Sequence, residues 1–342
     1  MVANNPHMTE NNVIVVRNLS KVYGGKIKAV NKISFFIKRG EIFGFLGPNG
    51  AGKTTTIKML TTLIAPTSGD ARILGYSIKG DSSMVRASIG VVPQEFTADD
   101  DLTGFDNALL IADLYGIPRA IAKKRISDLM ELVELNGVMN RKVSTYSGGM
   151  RRRLELAIGL INHPKILFLD EPTLGLDVQT RAAVWRYIQK LKKDYNMTLF
   201  MTTHYLEEAD SLCDRIAIID RGRIIRIGSP NKLKAGIGGD IVSLSVNNDH
   251  EDLTDMLRKI NGVVEVKRVG KDYRIKVKLA ETLAPKLITA ISAKGYQVTK
   301  LSMTKPTLDE AYLEYTGRSL REEETSTGDV MSQRRTLRLS RS

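Results

Sequence analysis

Cysteine, histidine and long apolar runs are all scarce in this 342-residue sequence. The one cysteine, Cys213, cannot form an internal disulfide and indicates a reducing compartment. The four histidines do not follow metal-ligand spacing, so a structural zinc site is not predicted. No stretch approaches the roughly eighteen apolar residues of a membrane-spanning helix, and no signal peptide opens the chain. These absences lead us to expect a cytoplasmic protein that does not itself cross a membrane.

Acidic residues are outnumbered by basic ones, with 38 Asp and Glu against 51 Lys and Arg, which gives a formal net charge of +13. An excess of this size favours an anionic neighbour, and a nucleotide, a nucleic acid or a lipid headgroup surface would each fit it. The basic residues are not accompanied by a helix-turn-helix signature, an aromatic RNA-binding signature or zinc-finger spacing. A specific nucleic-acid partner is therefore not expected.

Residues 47–56 form the most informative segment, because their sequence GPNGAGKTTT matches the GxxxxGK[ST] pattern of phosphate-binding loops. The apolar run Ile42–Leu46 predicts a buried strand directly before this P-loop, and a helix is expected over residues 53–63. Glycine allows the backbone to take positive φ and to bring its N–H groups close to the phosphates. Lys53 supplies a point charge to the outer phosphates, and Thr54 offers a hydroxyl to Mg²⁺.

These features predict a nucleoside triphosphate site that comprises Gly47, Pro48, Asn49, Gly50, Ala51, Gly52, Lys53, Thr54 and Thr55. A P-loop alone leaves kinases, GTPases, helicases and transporter motors open, so the downstream residues decide between them. The run Ile166–Asp170 predicts a second buried strand, and Glu171 follows it directly. Asp170 can hold the hydration shell of Mg²⁺, while Glu171 can polarise an attacking water.

A Ser-Gly-Gly turn precedes this second strand in residues 146–154, which read YSGGMRRRL and look like the start of an amphipathic helix. Ser147 is placed as the N-cap of that helix, and Gly148 and Gly149 expose backbone N–H groups that can bind an anion. Taken alone, the turn is explained equally well as a simple helix cap.

Together these segments resemble the ATP-binding cassette (ABC) ATPases over about residues 13–230. In that family the Ser-Gly-Gly signature of one subunit contacts the γ-phosphate held by the P-loop of the other subunit. The resemblance therefore implies that ATP is sandwiched in a homodimer or between paired cassettes, and that Ser147, Gly148 and Gly149 act in trans. Met150 departs from the family pattern, because many members carry glutamine there and a thioether cannot replace the hydrogen bonds of an amide.

The resemblance also gives roles to three residues that have ordinary explanations when they are taken one at a time. Gln94, after the strand-like Ile89–Val92, matches the glutamine that senses Mg²⁺ and the attacking water. His204, after the apolar Thr198–Thr203, matches the switch histidine at the γ-phosphate. Tyr23 stands where the family stacks an aromatic ring on adenine. Singly, they would read as a surface amide, a histidine at a strand end and a half-buried aromatic.

The implied ligands are ATP and Mg²⁺. The implied catalytic residues are Glu171, His204 and Gln94, and the implied Mg²⁺-binding residues are Thr54, Gln94 and Asp170. Residues 174–177, which read LGLD, match the dimer-contact loop of the family.

The expected fold is α/β: a P-loop NTPase ABC cassette with a helical subdomain, plus a small α+β ferredoxin-like C-terminal domain. The C-terminal prediction depends on a βαββαβ order of strand-like and helix-like segments after residue 240. That domain carries no catalytic constellation, so regulation or dimerisation is expected. The expected boundaries are a disordered N-terminus at 1–12, the nucleotide-binding domain at 13–232 with its helical subdomain at about 96–160, a linker at 233–240, the accessory domain at 241–318 and a disordered basic tail at 319–342.

Residues 306–319, PTLDEAYLEYTGRS, resemble the C-terminal ending of drug-exporter ABC ATPases of the daunorubicin-resistance type. This resemblance implies an ATP-hydrolysing subunit at the cytoplasmic face of the cell membrane, driving a separate membrane-spanning permease that exports drugs, lipids or other hydrophobic compounds. The family's helical subdomain docks on the permease. ABC-type ATPases that act on DNA or on the ribosome are the alternative. Their usual marks, a coiled-coil or zinc insertion or a second cassette, are not found in the sequence.

Overall fold

The computed structural model describes residues 11–236, 238–247, 253–270, 272–318 and 320. The predicted disordered N-terminus and basic tail lie outside these ranges, apart from residues 11, 12 and 320. Disorder is the wrong prediction for Asn12, which begins the first strand because it pairs with Lys38. The described residues divide into two compact units: one comprises the residues up to Ser229 together with Leu320, and the other begins at Pro230 and includes residues up to 318. In these residues no helix is both long enough and apolar enough to span a membrane.

The elements of the first unit alternate between strands and helices along most of its length. In chain order they are β1 (Asn12–Tyr23), β2 (Ile27–Lys38), β3 (Ile42–Leu46), α1 (Lys53–Leu60), β4 (Ser68–Ile73), β5 (Tyr76–Ser77), α2 (Ser82–Ser88), β6 (Ile89–Val92), α3 (Gly104–Leu114), α4 (Arg119–Leu132), a 3₁₀ turn (Val143–Thr145), α5 (Gly148–Gly159), β7 (Ile166–Asp170), α6 (Val178–Tyr195), β8 (Thr198–Thr203), α7 (Leu206–Leu212), β9 (Arg215–Asp220) and β10 (Arg223–Gly228).

The central sheet of this unit has the strand order β10-β9-β3-β8-β7-β6. Strands β9, β3, β8, β7 and β6 pair in parallel, and β10 is antiparallel at one edge. Every residue of β3, β7 and β8 is buried, as expected for strands covered on both faces, and this explains why they read as apolar runs. Because the three strands are parallel, the residues that follow them meet at one edge of the sheet.

A second, antiparallel sheet with the order β2-β1-β4-β5 shares its core with the central sheet. The ring of Phe200 on β8 lies at the middle of an aromatic cluster. Its centroid is 5.3 Å from that of Phe45, 5.5 Å from Phe168 and 6.1 Å from both Phe43 and Phe35, and Phe35 belongs to β2. Such ring contacts each add about 0.5–1.5 kcal/mol beyond the burial of apolar area. The strands that carry the site therefore pack against a dense aromatic core.

The segment predicted as the helical subdomain contains α3, α4 and α5, which share a separate apolar cluster. On α4, Ala122, Ile126 and Met130 are buried at helical spacing. Thr103 begins α3 as its N-cap, since its hydroxyl accepts a hydrogen bond from the amide of Asp106.

The second unit has the predicted βαββαβ order. It comprises α8 (Pro230–Gly236), β11 (Asp240–Val246), α9 (Thr254–Arg258), β12 (Val263–Val269), β13 (Asp272–Val277), α10 (Ala280–Ala293), β14 (Val298–Thr304) and α11 (Leu308–Thr316). The sheet order is β12-β13-β11-β14 and all pairings are antiparallel, which is the ferredoxin-like topology. Leu257, Leu283, Leu287 and Ile291 are buried in its core.

The predicted linker at 233–240 is wrong for its first four residues, which belong to α8. Pro230 occupies the first position of that helix, where its missing N–H costs nothing. Leu233 is buried, and its carbonyl accepts a 2.9 Å hydrogen bond from the hydroxyl of Tyr315 on α11. The segment is therefore packed within the second unit, and Asp240 already begins β11. Residue 237 lies outside the described residues.

Candidate active site

The P-loop connects β3 to α1 at a point where side chains would not fit. A β-carbon on Gly47 would lie 2.2 Å from the carbonyl oxygen of Ile219, and one on Gly52 would lie 2.4 Å from the carbonyl oxygen of Ala29. Gly52 also has φ +103, and Gly50 at the exposed tip of the loop has φ +79. These positions need glycine both for space and for backbone conformation, and the result is an open turn of backbone at the start of α1.

Lys53, the first residue of α1, directs its ammonium group back into this turn. The side chain is only 4% exposed, and Nζ donates to the carbonyl oxygens of Gly47 at 2.6 Å and Pro48 at 3.1 Å. Nζ also forms an ion pair with Oε1 of Glu171 at 3.0 Å. A buried positive charge inside a glycine turn is complementary to phosphate, so the residues present fit a nucleotide.

Asp170 ends β7 with its carboxylate held by two hydroxyls. Thr202 Oγ1 on β8 donates to Oδ1 of Asp170 at 2.6 Å, and Thr54 Oγ1 on α1 donates to the same oxygen at 3.2 Å. Burial raises the pKa of Asp170 above its usual value, and the two hydroxyls oppose that rise without cancelling it. A carboxylate beside a threonine hydroxyl is an oxygen donor set of the kind that Mg²⁺ prefers, so Thr54 and Asp170 fit this ion.

Glu171 is held in an unusual backbone conformation at the centre of the site. Its φ is +48, in the left-handed region, and its amide donates to the carbonyl and the hydroxyl oxygens of Thr202 at 3.2 and 3.0 Å. Strain of this kind persists only where the surroundings enforce it. The conformation directs the carboxylate between two partners: Oε1 contacts Lys53, and Oε2 is 3.0 Å from Nδ1 of His204.

The charge environment of Glu171 is set by burial and by those two partners. Burial, with the side chain about 5% exposed, raises the pKa of Glu171. The hydrogen bond to His204 and the charge of Lys53 outweigh that effect and lower the pKa from 4.5 to about 2. The carboxylate is therefore ionised and weakly basic as long as the lysine remains beside it.

His204 follows β8 and is buried, with its ring centroid 4.1 Å from that of Tyr205. The carbonyl of Thr203, one residue earlier, accepts a 3.3 Å hydrogen bond from the amide of Gly47. The ends of β3, β7 and β8 thus bring together five of the residues that the sequence singled out: Lys53, Thr54, Asp170, Glu171 and His204.

Gln94 and Tyr23 lie apart from this buried group. The side chain of Gln94 is exposed, and it is the backbone carbonyl that accepts a hydrogen bond, from Arg152 at 2.9 Å. Tyr23 ends β1, and its exposed ring lies 5.4 Å from the ammonium of Lys21. An exposed aromatic ring leaves a face available for stacking.

The Ser-Gly-Gly turn is formed as predicted at its helix end. Ser147 is the N-cap of α5, and its hydroxyl accepts a 3.3 Å hydrogen bond from the amide of Met150. Ser147 and Gly148 are exposed, and a β-carbon on Gly149 would lie 2.4 Å from Cγ2 of Thr180 on α6. Within the described part of the chain, no hydrogen bond joins Ser147 to the P-loop.

Two features of the site were not predicted. Thr202 contacts both Asp170 and Glu171. The sequence signal for this role was that polar residues end an otherwise apolar strand. Arg152 is buried on α5 and reaches the backbone around Gln94 and Glu171. A basic residue on the buried side of an amphipathic helix was a signal for it.

Models of known protein families match both units of the chain. A family model described as "ABC transporter" matches residues 30–174, and one described as "ATP-binding protein DrrA1-3-like, C-terminal domain" matches residues 228–316. The linearmycin resistance ATP-binding protein LnrL of Bacillus subtilis is 36% identical over 313 residues, 91% of this chain and 100% of that protein. The daunorubicin/doxorubicin resistance ATP-binding protein DrrA of Streptomyces peucetius is 36% identical over 307 residues, 89% of this chain and 92% of that protein.

Solved structures resemble the first unit. The cbiO1 subunit of Clostridium perfringens, part of the ABC transporter complex cbiONQ, has a TM-score of 0.62 at 26% identity, over 66% of this chain and 92% of that chain. The cassette MJ0796, solved as a dimer in a post-hydrolysis state with ADP and Pi, has a TM-score of 0.57 at 28% identity, over 63% of this chain and 98% of that chain.

The relatives have names that refer to resistance and export, so an action on DNA or the ribosome is not favoured. The protein binds ATP and is an ATPase, the function of the ATP-binding domain whose P-loop, acidic pair and histidine it carries. The chain belongs to the ATP-binding proteins of ABC transporters and carries a DrrA-like C-terminal domain.

Proposed function

We propose that two copies of this chain close over two Mg·ATP to drive a separate membrane permease, exporting drugs or other hydrophobic compounds from the cytoplasmic face of the membrane. The observation that supports it best is the buried set of Lys53, Glu171 and His204, assembled where three parallel strands end. The direction and the class of cargo are supported by relatives named for resistance to linearmycin and daunorubicin/doxorubicin and for Nod factor export.

In this proposal the P-loop holds the phosphates through its backbone N–H groups and through Lys53. Thr54 and Asp170, whose oxygens are 3.2 Å apart, are the residues that would hold Mg²⁺. The ion would neutralise charge that builds up on the phosphate oxygens. The exposed ring of Tyr23 would stack on adenine, and the exposed Gln94 would sense the ion and the attacking water.

Binding of the triphosphate would change the partner of Lys53. In the structure, its ammonium contacts two P-loop carbonyls and Glu171. A phosphate competes for this ammonium more strongly than a carbonyl does, because phosphate carries a full charge. Once Lys53 turns toward the phosphate, one of the two groups that lower the pKa of Glu171 moves away while the hydrogen bond to His204 remains, and the carboxylate becomes a better base. Glu171, aligned by His204, can then accept a proton from the attacking water.

The signature turn would complete the site of the partner subunit. Ser147 and Gly148 are exposed at the start of α5, a helix of twelve residues whose N-terminus favours an anion. Closure of two subunits would therefore bring Ser147 of each chain to the γ-phosphate held by the other. Loss of that phosphate removes the anion that holds the two halves together.

The helical subdomain offers a surface for the permease. Large apolar side chains are exposed along α3, α4 and the loop before them: Phe96, Leu110, Leu114, Tyr115 and Ile121. Exposed apolar side chains in one subdomain are typical of a protein contact. For the second unit we retain regulation or dimerisation as its role.

Substitution of the base tests the enzymatic part of the proposal. We expect Glu171→Gln to bind ATP but to lose about 10³-fold in turnover, since a positioned base contributes about 10²–10⁴-fold. The variant should also accumulate an ATP-dependent dimer, measurable by light scattering after size exclusion. The surface change Asp210→Asn, on the exposed side of α7, removes a carboxylate charge in the same way and is a control that should keep turnover. Ordinary turnover in Glu171→Gln would refute the assigned base.

Purification tests the transport part. The tagged protein, extracted from its native membranes in mild detergent, should bring down a polytopic permease that raises Mg·ATP hydrolysis. Recovery of ribosomes or DNA without any membrane protein would overturn the transport role and leave the ATPase intact.

A further inference from the structure

Helix α5 carries two buried charges one turn apart. Arg152 and Glu155 are each 1% exposed, although charged side chains are rarely buried unless they are bonded. Both are directed to the same short loop, residues 93–98, which we call the glutamine loop because it contains Gln94. Neither residue belongs to the phosphate or acid machinery described above.

The two charges hold opposite ends of the glutamine loop through its backbone. Arg152 donates from Nη1 to the carbonyl of Pro93 at 2.7 Å and from Nη2 to that of Gln94 at 2.9 Å. Glu155 accepts at the other end from the amides of Thr97 at 2.6 Å and Ala98 at 2.9 Å. Its second oxygen accepts from the hydroxyl of Thr97 at 2.8 Å.

Arg152 also contacts the backbone of Glu171, which directly follows β7. Its Nη2 lies 3.4 Å from the carbonyl oxygen of Glu171, and the ring of Phe96 covers the guanidinium, with 5.3 Å between Cζ and the ring centroid. The side chain of Arg152 therefore connects helix α5 to the glutamine loop and to the backbone of Glu171. Hydrogen bonds to charged groups in buried surroundings are the stronger ones, so these connections are stiff.

We propose that Arg152 and Glu155 are positioning residues that fasten Gln94 and the backbone of Glu171 to the helix whose first turn carries the signature. We call the pair the α5 clamp. Resting on the proposed function, in which Ser147 meets the nucleotide of the partner subunit, the clamp transmits any movement of Ser147 to the water-aligning residues of its own subunit. The position of the water-aligning residues in each site then depends on whether the partner's site contains nucleotide.

A clamp of this kind affects the chemical step more than nucleotide binding, because the phosphate contacts come from the P-loop. Misplacing a water-aligning group by about 1 Å costs up to about 10²-fold in rate. We therefore expect Arg152→Gln to lower kcat about tenfold to a hundredfold with KM for Mg·ATP within about threefold of wild type. Arg152→Lys keeps the charge and should recover part of kcat.

Arg153 provides a matched control on the same helix. It also donates to backbone carbonyls, those of Val133 at 3.1 Å and Glu134 at 3.3 Å, but these residues directly follow α4. Arg153→Gln should lower the melting temperature as Arg152→Gln does, and keep kcat within about twofold. Equal losses of kcat in the two variants, or an unchanged kcat in Arg152→Gln, would overturn the clamp.

Hydrogen exchange tests the clamp without catalysis. In the full-length protein, the amides of Thr97 and Ala98 should exchange about tenfold or more faster in Glu155→Ala than in wild type, and should be unchanged in Arg153→Gln. Unchanged exchange in Glu155→Ala would refute the fastening. If the wild-type protein failed to form an ATP-dependent dimer, the proposed function would fail while this exchange result still decided the clamp.

Discussion

Lys53, Glu171 and His204 are buried and already bonded to one another, whereas Ser147 and Gly148 are exposed at the start of α5. The first group is assembled within one chain at the end of a parallel sheet. In the second group, Ser147 accepts a hydrogen bond from the amide of Met150 on its own helix. The difference supports the proposal that one part of the site is prepared by folding and that the other part is supplied by association.

A mixture of two inactive variants gives the sharpest test of whether one part of the site comes from each chain and the other part from its partner. We expect Lys53→Ala to remove phosphate binding and Ser147→Arg to block the partner's γ-phosphate, so each homodimer should lose turnover by about 10³-fold. In a mixed dimer one site has both defects and the other has none. The mixture should recover up to roughly a quarter of the wild-type rate, because half of the dimers are mixed and each has one intact site, and less to the extent that the α5 clamp couples the two sites.

The measurement is steady-state phosphate release from an equimolar mixture, compared with each variant alone. The doubly substituted chain mixed with either single variant is the control, since that mixture contains no intact site. Absence of recovery in the first mixture would mean that the signature acts within its own chain.

Acid titration tests whether the buried half is complete without a partner. The pKa of Glu171 is about 2 in the folded chain against an ordinary 4.5, so its ionisation stabilises the fold above pH 4.5 and this stabilisation is lost as the pH falls from 4.5 to 2. A difference of that size is worth about 3 kcal/mol. We expect the stability advantage of wild type over Glu171→Gln to shrink by about that amount over this interval.

Urea unfolding at several pH values, at two protein concentrations, measures this difference. Because the bonded group belongs to one chain, the difference should not depend on protein concentration. A constant advantage across the interval would show that Lys53 and His204 do not hold the carboxylate in the folded chain.

The smallest effect is expected at Met150, which follows the exposed turn and is itself half-buried. The amide of Met150 donates to Ser147, and this contact does not involve the side chain. We expect Met150→Gln, which restores the common family residue, to change kcat and KM by less than about threefold. A larger gain would mean that the side chain, and not only the backbone of the turn, contacts the partner's nucleotide.

The central strands could be predicted from the sequence because strands buried on both faces read as unbroken apolar runs. Ile42–Leu46, Ile166–Asp170 and Thr198–Thr203 all have the expected bounds. The helix after the P-loop ends at Leu60 instead of residue 63, since Thr62 takes φ +63. Local patterns do not show where a chain turns out of a helix without glycine or proline.

The contacts between side chains inside the site could not be predicted from the sequence. The ion pair between Lys53 and Glu171 joins residues more than a hundred positions apart, and it exists only because β3 and β7 flank β8. The bonds of the α5 clamp could not be predicted for the same reason: the buried side of the helix was a signal for Arg152, but the loop that it contacts lies 58 to 59 positions away. Helix α8 was missed because the glycines after it dominated the local pattern, while the contact of Leu233 with Tyr315 is long-range.

The contact of Lys53 with Glu171 gives the buried lysine a counterion from its own chain. An isolated buried ammonium would destabilise the fold, but here the carboxylate balances its charge. In the proposed function, the phosphate of ATP replaces this carboxylate as the partner of Lys53, and the displaced carboxylate is the base that the reaction uses next.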